Sequence, residues 1–183
     1  MRIIAGHAGG RRLISPNTDR IRPTTDRVRE ALFSMLGNVS GALVVDGFAG
    51  SGALGLEALS RGAEKCFFFD TSREAISVVR ENCRRLDVVD QAIIRRCSFT
   101  RGMRQFVTGT PDLWFLDPPY HTDLAEQALL AMEEQVQIVT KGALVVWESH
   151  RDEAIPDLAR FEITRKREYG STRLVFLRAQ SGP

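Results

Sequence analysis

Residues 42–59 read ALVVDGFAGSGALGLEAL. The run Ala42–Val45 is wholly apolar and ends on Asp46. Glycines follow at 47, 50, 52 and 55, and residues 53–61 then read as a helix. A short strand with no polar face is buried on both sides, as in a parallel sheet covered by helices. Strand, glycine turn and helix together open a doubly wound sheet. In such sheets ligands sit at the carboxyl ends of the strands, beside the first strand-to-helix turn. Small residues let the backbone approach a ligand, and the N–H groups of the helix start then face it.

The same rhythm continues outward. KCFFFD (65–70) is a second apolar strand that also ends in an acid. Residues 72–86 form a charged amphipathic helix with Ala75, Ile76, Val79 and Cys83 inward. QAIIRRC (91–97), DLWFLD (112–117) and ALVVWES (143–149) give three more strands, with a helix over 122–139. The stretch between the third and fourth strands carries no assignment. RFEITRKREYG and STRLVFLRA read as a terminal hairpin turning around Gly170 and Ser171. At the other end, residues 1–15 suggest a short hairpin or irregular arm, and PNTDRIRP a loop. TTDRVREALFSMLG then suggests a helix capped by Thr24 or Thr25 and stopped by Gly37, with Val28, Leu32, Met35 and Leu36 on one face. The expectation is one α/β unit: an arm over 1–23 and a main domain over 24–183.

Composition agrees. The chain has 183 residues, 43% hydrophobic and 26% charged, ordinary for a soluble protein with a sizeable core. No apolar run approaches the roughly 18 residues of a membrane span, and the first residues lack a secretion signal. Cys66, Cys83 and Cys97 are odd in number and show no C-x-x-C spacing. Reduced, mostly buried thiols in the cytoplasm and no metal site are expected. The net charge is only +2, yet residues 1–30 hold seven arginines against Asp19, Asp26 and Glu30. A basic end on a near-neutral body suits an anionic partner, nucleic acid first, or else is a solvated charged segment.

The glycine loop admits two ligands. Gly50-x-Gly52-x-x-Gly55 fits a dinucleotide fingerprint, with Asp70 where a ribose-binding acid would stand. The acid-first form, Asp46-x-Phe-Ala-Gly50-x-Gly52, suits S-adenosylmethionine, whose amino and sulfonium cations welcome a carboxylate. Asp70 would grip ribose hydroxyls in either case.

FLDPPYH (115–121) narrows the choice. Two prolines end the strand, since proline cannot continue a central ladder. An exocyclic amine on a nucleobase is a poor nucleophile, because its lone pair is delocalised into the ring. Methylating it calls for acceptors that hold its N–H groups and turn the lone pair toward a methyl donor. Asp117 supplies a carboxylate and Pro118 a backbone carbonyl, and the Pro118–Pro119 pair stiffens the loop in advance. Tyr120 offers a face on which a base can stack, worth roughly 1–3 kcal/mol, against the few kcal/mol of extruding it. No base is needed if the lone pair is aligned, so His121 is read as a bystander. His7 is a candidate phosphate contact, and His150 is read as structural. Trp114 and Trp147 are assigned to the core. The arginine pairs 84–85 and 95–96 are read as solvated, and Arg165, Lys166, Arg167 and Arg173 as a solvated hairpin face ahead of the alternative, an extension of the RNA surface.

DGFAGSGALGLEALSRGA with DPPY resembles the class I S-adenosylmethionine-dependent methyltransferases that act on amino groups. IAGHAGGRRL, RPTTDRVREALFSML and YGSTRLVF resemble, more narrowly, the RsmD family of bacterial 16S ribosomal RNA guanine-N2 methyltransferases. The resemblance covers nearly the whole chain. It implies a Rossmann-like, seven-stranded, mostly parallel sheet whose C-terminal strand is antiparallel. It implies that Asp46, Gly47, Ala49, Gly50 and Gly52 surround the cofactor, that Asp70 binds its ribose, and that Asp117–Tyr120 hold the target guanine. It places Thr24 near the cofactor and Arg11, Arg12, Arg22 and Arg27 along RNA phosphates. The implied partner is 16S RNA in a partly or fully assembled 30S particle, acted on by a monomer. The chain departs from the family twice. Ser98 stands where an acid usually meets the adenine amine, leaving an uncharged acceptor. Gly47 replaces a bulkier residue, and a looser first loop is the expectation. Two other readings stay open: methylation of adenine N6 or cytosine N4 in DNA, and an RNA-binding assembly factor with an inert fold. An NAD oxidoreductase is a weaker rival.

Overall fold

A computed structural model describes residues 1–16 and 26–181. The elements run α1 (Asp26–Leu36), β1 (Leu43–Asp46), α2 (Ala53–Ser60), β2 (Lys65–Asp70), α3 (Arg73–Leu86) and β3 (Ala92–Arg96). Then come α4 (Phe99–Phe106), β4 (Leu113–Leu116), α5 (Leu124–Glu134), β5 (Leu144–His150), β6 (Phe161–Tyr169) and β7 (Thr172–Ala179). One seven-stranded sheet has the order β3-β2-β1-β4-β5-β7-β6. The β3-β2-β1-β4-β5 block is parallel, and β7 runs antiparallel to both β5 and β6. The order reverses between β1 and β4, so the loops after those two strands meet at a switch point.

The apolar strand runs do what their composition dictates. Val44 and Val45 on β1, Phe67, Phe68 and Phe69 on β2, and Trp114, Phe115 and Leu116 on β4 are fully buried. Alternate residues enter the two cores on the two faces of the sheet: Phe68 and Phe115 one, Phe67, Phe69, Trp114 and Leu116 the other. Each such side chain stabilises the fold by about 1.5–3 kcal/mol relative to exposure. All three cysteines are free and buried. Burial pushes the Cys83 thiol up to about 12 and raises those of Cys66 and Cys97, so none is a ready nucleophile.

The helix α4 is absent from the sequence reading. Its eight residues include Gly102, a poor helix former, and an arginine-rich outer face. Gly102 is there for contact: a Cβ would lie 2.5 Å from the Phe69 ring. The 122–139 segment yields a shorter helix than read, Leu124–Glu134.

The N-terminal arm is bolted to the body. Arg2 and Arg12 form an antiparallel bridge, while Ile3, Ala8 and Leu13 bury into the core that also holds α1. Glu57 on α2, fully buried, accepts the Ile4 and Ala5 N–H groups at 2.7 and 3.0 Å and the Arg61 side chain at 2.7 Å. Arg29, buried on α1, answers that charge at 3.9 Å and also meets Asp26 and the Arg2 carbonyl. Ser60 adds bonds to Ala5 and Ala8. Asn82 on α3 bonds both backbone groups of Ile14 and reaches the Ser51 carbonyl in the glycine loop.

The hairpin corrects one assignment. Arg165, Lys166 and Arg167 are exposed on β6, but Arg173 is buried and donates to Ser149 Oγ and to the Arg151 and Glu153 carbonyls. It holds the β5 end in place rather than meeting solvent. Among the described residues no helix is long and apolar enough to cross a membrane.

Candidate active site

One cavity of about 650 Å³ opens at the carboxyl ends of the parallel strands. The glycine loop after β1 and the DPPY segment after β4 both form part of its wall. Neighbouring strands bring them together: Val45 pairs with Trp114 and Asp46 with Phe115.

The first loop is shaped around Asp46. Its carboxylate is 2% exposed and accepts the Gly55 N–H at 3.0 Å, which draws the start of α2 onto the strand end. Burial pushes this carboxyl up to about 7; the Gly55 bond opposes the shift and the Asp70 charge adds to it. Such a group is poised to take a cation. Asp46, Gly47, Ala49 and Gly50 border the cavity. Gly52 stands behind it at the N-cap of α2, at φ 80°, a left-handed turn that suits glycine. Gly47 leaves no gap. A Cβ there would sit 2.5 Å from the Phe99 ring and 3.2 Å from Leu116, so the expected loosening is replaced by an aromatic plug from α4.

Asp70, at the end of β2, uses one oxygen for the Gly50 N–H at 2.9 Å and the other for the Ser72 N–H at 2.8 Å. Each oxygen keeps a further acceptor position toward the cavity it borders. Ser98 also reaches the wall, where its hydroxyl caps α4 through the Arg101 N–H at 3.4 Å. Phe48 and Phe99 stack at 6.0 Å between ring centres beside it. Met1, Ser15 and Pro16 bring the arm to the rim.

Asp117, Pro118, Pro119 and Tyr120 border the same space. The Tyr120 ring is tethered by its hydroxyl, 3.0 Å from both Glu148 Oε1 and Thr172 Oγ1, and packs edge-on against His150. Burial, with the Glu148 charge beside it, raises the phenol so that it stays a donor. His121 is exposed with a positive φ of 58°, its backbone N–H donates to Glu153, and its ring packs against that of His150 at 4.9 Å.

Of the basic residues, Arg11, Arg12 and Arg27 are exposed, and the Arg11 guanidinium donates to the Arg85 carbonyl on α3. Thr24 and Arg22 lie outside the described residues. The sequence reading missed Glu148, Thr71, Phe99 and Gln127 in the cavity wall. For Glu148 the signal was partial: β5, like β1 and β2, carries an acid toward its carboxyl end, but two residues before His150 closes the strand.

Comparison with known proteins gives a consistent answer. A family described as "Conserved hypothetical protein 95" matches residues 1–178. Ribosomal RNA small subunit methyltransferase D of Escherichia coli is 34% identical over 173 residues, 93% of this chain and 85% of that protein. The solved structure of yhhF from Escherichia coli superposes with a TM-score of 0.85 at 31% identity, covering 100% and 99% of the two chains. An RNA methyltransferase from Salinibacter ruber, solved with S-adenosyl-L-homocysteine, shares the fold at a TM-score of 0.66, with 15% identity over 88% and 96%.

Proposed function

The chain belongs to the conserved hypothetical protein 95 family, the RsmD family of ribosomal RNA methyltransferases, and on that footing we propose that it methylates the exocyclic N2 of a guanine in 16S RNA, with S-adenosylmethionine as donor. The observation that carries the reading is the shared cavity: the glycine loop after β1 and Asp117–Tyr120 after β4 face one space. A dinucleotide oxidoreductase has no use for an amine clamp at that place.

The wall fits the donor. Asp46 is a carboxylate whose ionisation burial opposes, and the amino and sulfonium groups of the donor are cations that would favour it. Asp70 presents acceptors to the ribose hydroxyls, while Gly47, Ala49 and Gly50 leave room for close approach. Gly52 acts behind them by setting the loop. Ser98 offers the adenine amine an uncharged hydroxyl acceptor that also caps α4, a weaker contact than an acid would make, with backbone acceptors as the alternative. Thr24 is kept as a further cofactor contact. When bound, S-adenosylmethionine supplies an activated methyl group.

The protein's work on the base is positioning. Asp117 and the Pro118 carbonyl accept the two N–H bonds of the amine and turn its lone pair outward. Pro119 keeps that carbonyl fixed, so little ordering remains at the moment of reaction. Tyr120, tethered at its hydroxyl, offers its ring to the base for stacking. Arg11, Arg12, Arg22 and Arg27 meet RNA phosphates. The enzyme works in the cytoplasm, as a monomer, on a partly or fully assembled 30S particle.

Labelled donor incubated with either stripped 30S particles or duplex DNA tests the proposal. Label is expected in the small-subunit RNA alone. Label entering DNA, or no binding of the donor by calorimetry, would defeat it in favour of the DNA-directed or inert reading respectively.

A further inference from the structure

Glu148 is a buried carboxylate that the clamp described above does not use. It stands on β5, 5% exposed, and borders the cavity with Asp117 and Tyr120. β4 and β5 are parallel, with Leu116 opposite Trp147. Continuing that register by one step sets Asp117, just past β4, level with Glu148 on β5. The site therefore holds two adjacent carboxylates facing one space.

Tyr120 fixes the second of them. Its hydroxyl donates to Glu148 Oε1 and takes a hydrogen bond from the Thr172 hydroxyl, both at 3.0 Å. A carboxylate has about four acceptor positions, so Glu148 can serve Tyr120 and other donors at once. Ionised, it donates nothing. Two neighbouring acceptors of this kind match a ligand edge with hydrogen-bond donors in a row.

Among the bases, guanine has that edge: N1–H lies next to the N2 amine. Adenine and cytosine present a bare ring nitrogen beside their amines. We infer that Glu148 determines base specificity, accepting the N1–H of a guanine whose N2 amine is held by Asp117 and the Pro118 carbonyl. The inference rests on the guanine-N2 reading above and extends it from the amine that reacts to the base that is admitted. Adenine or cytosine would set a ring lone pair against a buried carboxylate, leaving both groups unpaired away from water. A flipped base is read on this edge, so the discrimination falls where selection takes place.

2-Aminopurine tests this directly, because it keeps the N2 amine and lacks N1–H. Small-subunit RNA carrying guanine or 2-aminopurine at the mapped target is reconstituted into particles, and single-turnover transfer is measured. The wild-type protein should prefer guanine by at least ~100-fold, since a site built around a donor rejects the analogue without it. Glu148→Gln should lose most of its rate on guanine and shrink that preference below ~10-fold, because a neutral amide no longer repels the bare nitrogen. Tyr120→Phe, which removes the tether and keeps the carboxylate, should retain the preference at a lower rate. Donor affinity of each variant, read by calorimetry, shows that the fold is intact. Equal use of the two bases by the wild-type protein, or an undiminished preference in Glu148→Gln, would overturn the assignment while leaving guanine-N2 methylation standing. Label on a base other than guanine would overturn both.

Discussion

Lowering the pH from 7 to 5 should weaken S-adenosylmethionine binding about fiftyfold, through Asp46. Burial holds this carboxyl's pKa at about 7, against an unperturbed 3.8. A cationic ligand binds the ionised form, so below pH 7 a proton must leave before the ligand can bind. Apparent affinity then falls about fivefold from pH 7 to 6 and approaches the limiting tenfold per unit from 6 to 5, ~2.3 kcal/mol over the two units. The range stops at pH 7 because an α-amino group begins to lose its own charge near ~7.7–8.0. Calorimetry in two buffers of different protonation enthalpy reads both quantities, and near pH 6 close to one proton should be released per ligand bound. Asp46→Asn should bind more weakly at pH 7 and show no slope between pH 5 and 7. Stability of the ligand-free protein moves in the opposite sense. The raised carboxyl costs nothing below about pH 4, and its cost grows to at most ~4 kcal/mol by pH 7 and then levels off. Asp46→Asn should therefore gain stability at pH 8 and not at pH 4. A wild-type affinity that stays flat from pH 5 to 7 would rule out Asp46 as the partner of the ligand's cations.

Three further outcomes follow from the packing. Gly47→Ala should drive a methyl group into Phe99, costing about 1–3 kcal/mol and lowering the Tm by about 3–9 °C; an unchanged Tm would show that α4 yields freely. Glu57→Gln should cost about 3–5 kcal/mol in urea unfolding, since it removes the buried charge that holds the Ile4 and Ala5 N–H groups and Arg61 and leaves the buried Arg29 with Asp26 alone; an unmoved midpoint would count against that anchor. Arg12→Ala with Arg27→Ala should flatten the salt dependence of RNA binding by ~0.7–0.9 for each phosphate no longer neutralised; the same slope as wild type would remove these arginines from the RNA surface. Point changes are cleaner here than truncation, because deleting the arm also strips Ile3, Ala8 and Leu13 from the core.

Much of this fold was legible because β1, β2, β4 and β5 are buried on both faces. Runs such as KCFFFD and LWFL have no polar side to blur their boundaries, and each ends on glycine, proline or an acid that marks a turn. The glycine loop and DPPY were legible for the same reason, since residues that break regular structure stand out against apolar runs. What stayed hidden depends on neighbours distant in sequence. The helix α4 is short and carries Gly102, whose reason, the Phe69 ring, lies over thirty residues earlier. Gly47 looked like a gap because nothing in its neighbourhood announces Phe99. Glu57 reads as one more helix acid in GLEALS, and its burial against the arm follows only from tertiary packing. Arg173 looked like hairpin surface until β5 supplied its acceptors. Glu148 was hidden by its own strand, where an acid near the end passes for the start of solvent.

The clamp itself is tested most directly by Asp117→Ala. Stripped 30S particles are incubated with donor and either protein, and the RNA is digested for nucleoside mass spectrometry. N2-methylguanosine is expected with the wild-type protein and none with Asp117→Ala, at nearly equal donor affinity. Comparable N2-methylguanosine from both proteins would leave Asp117 without a part in holding the amine.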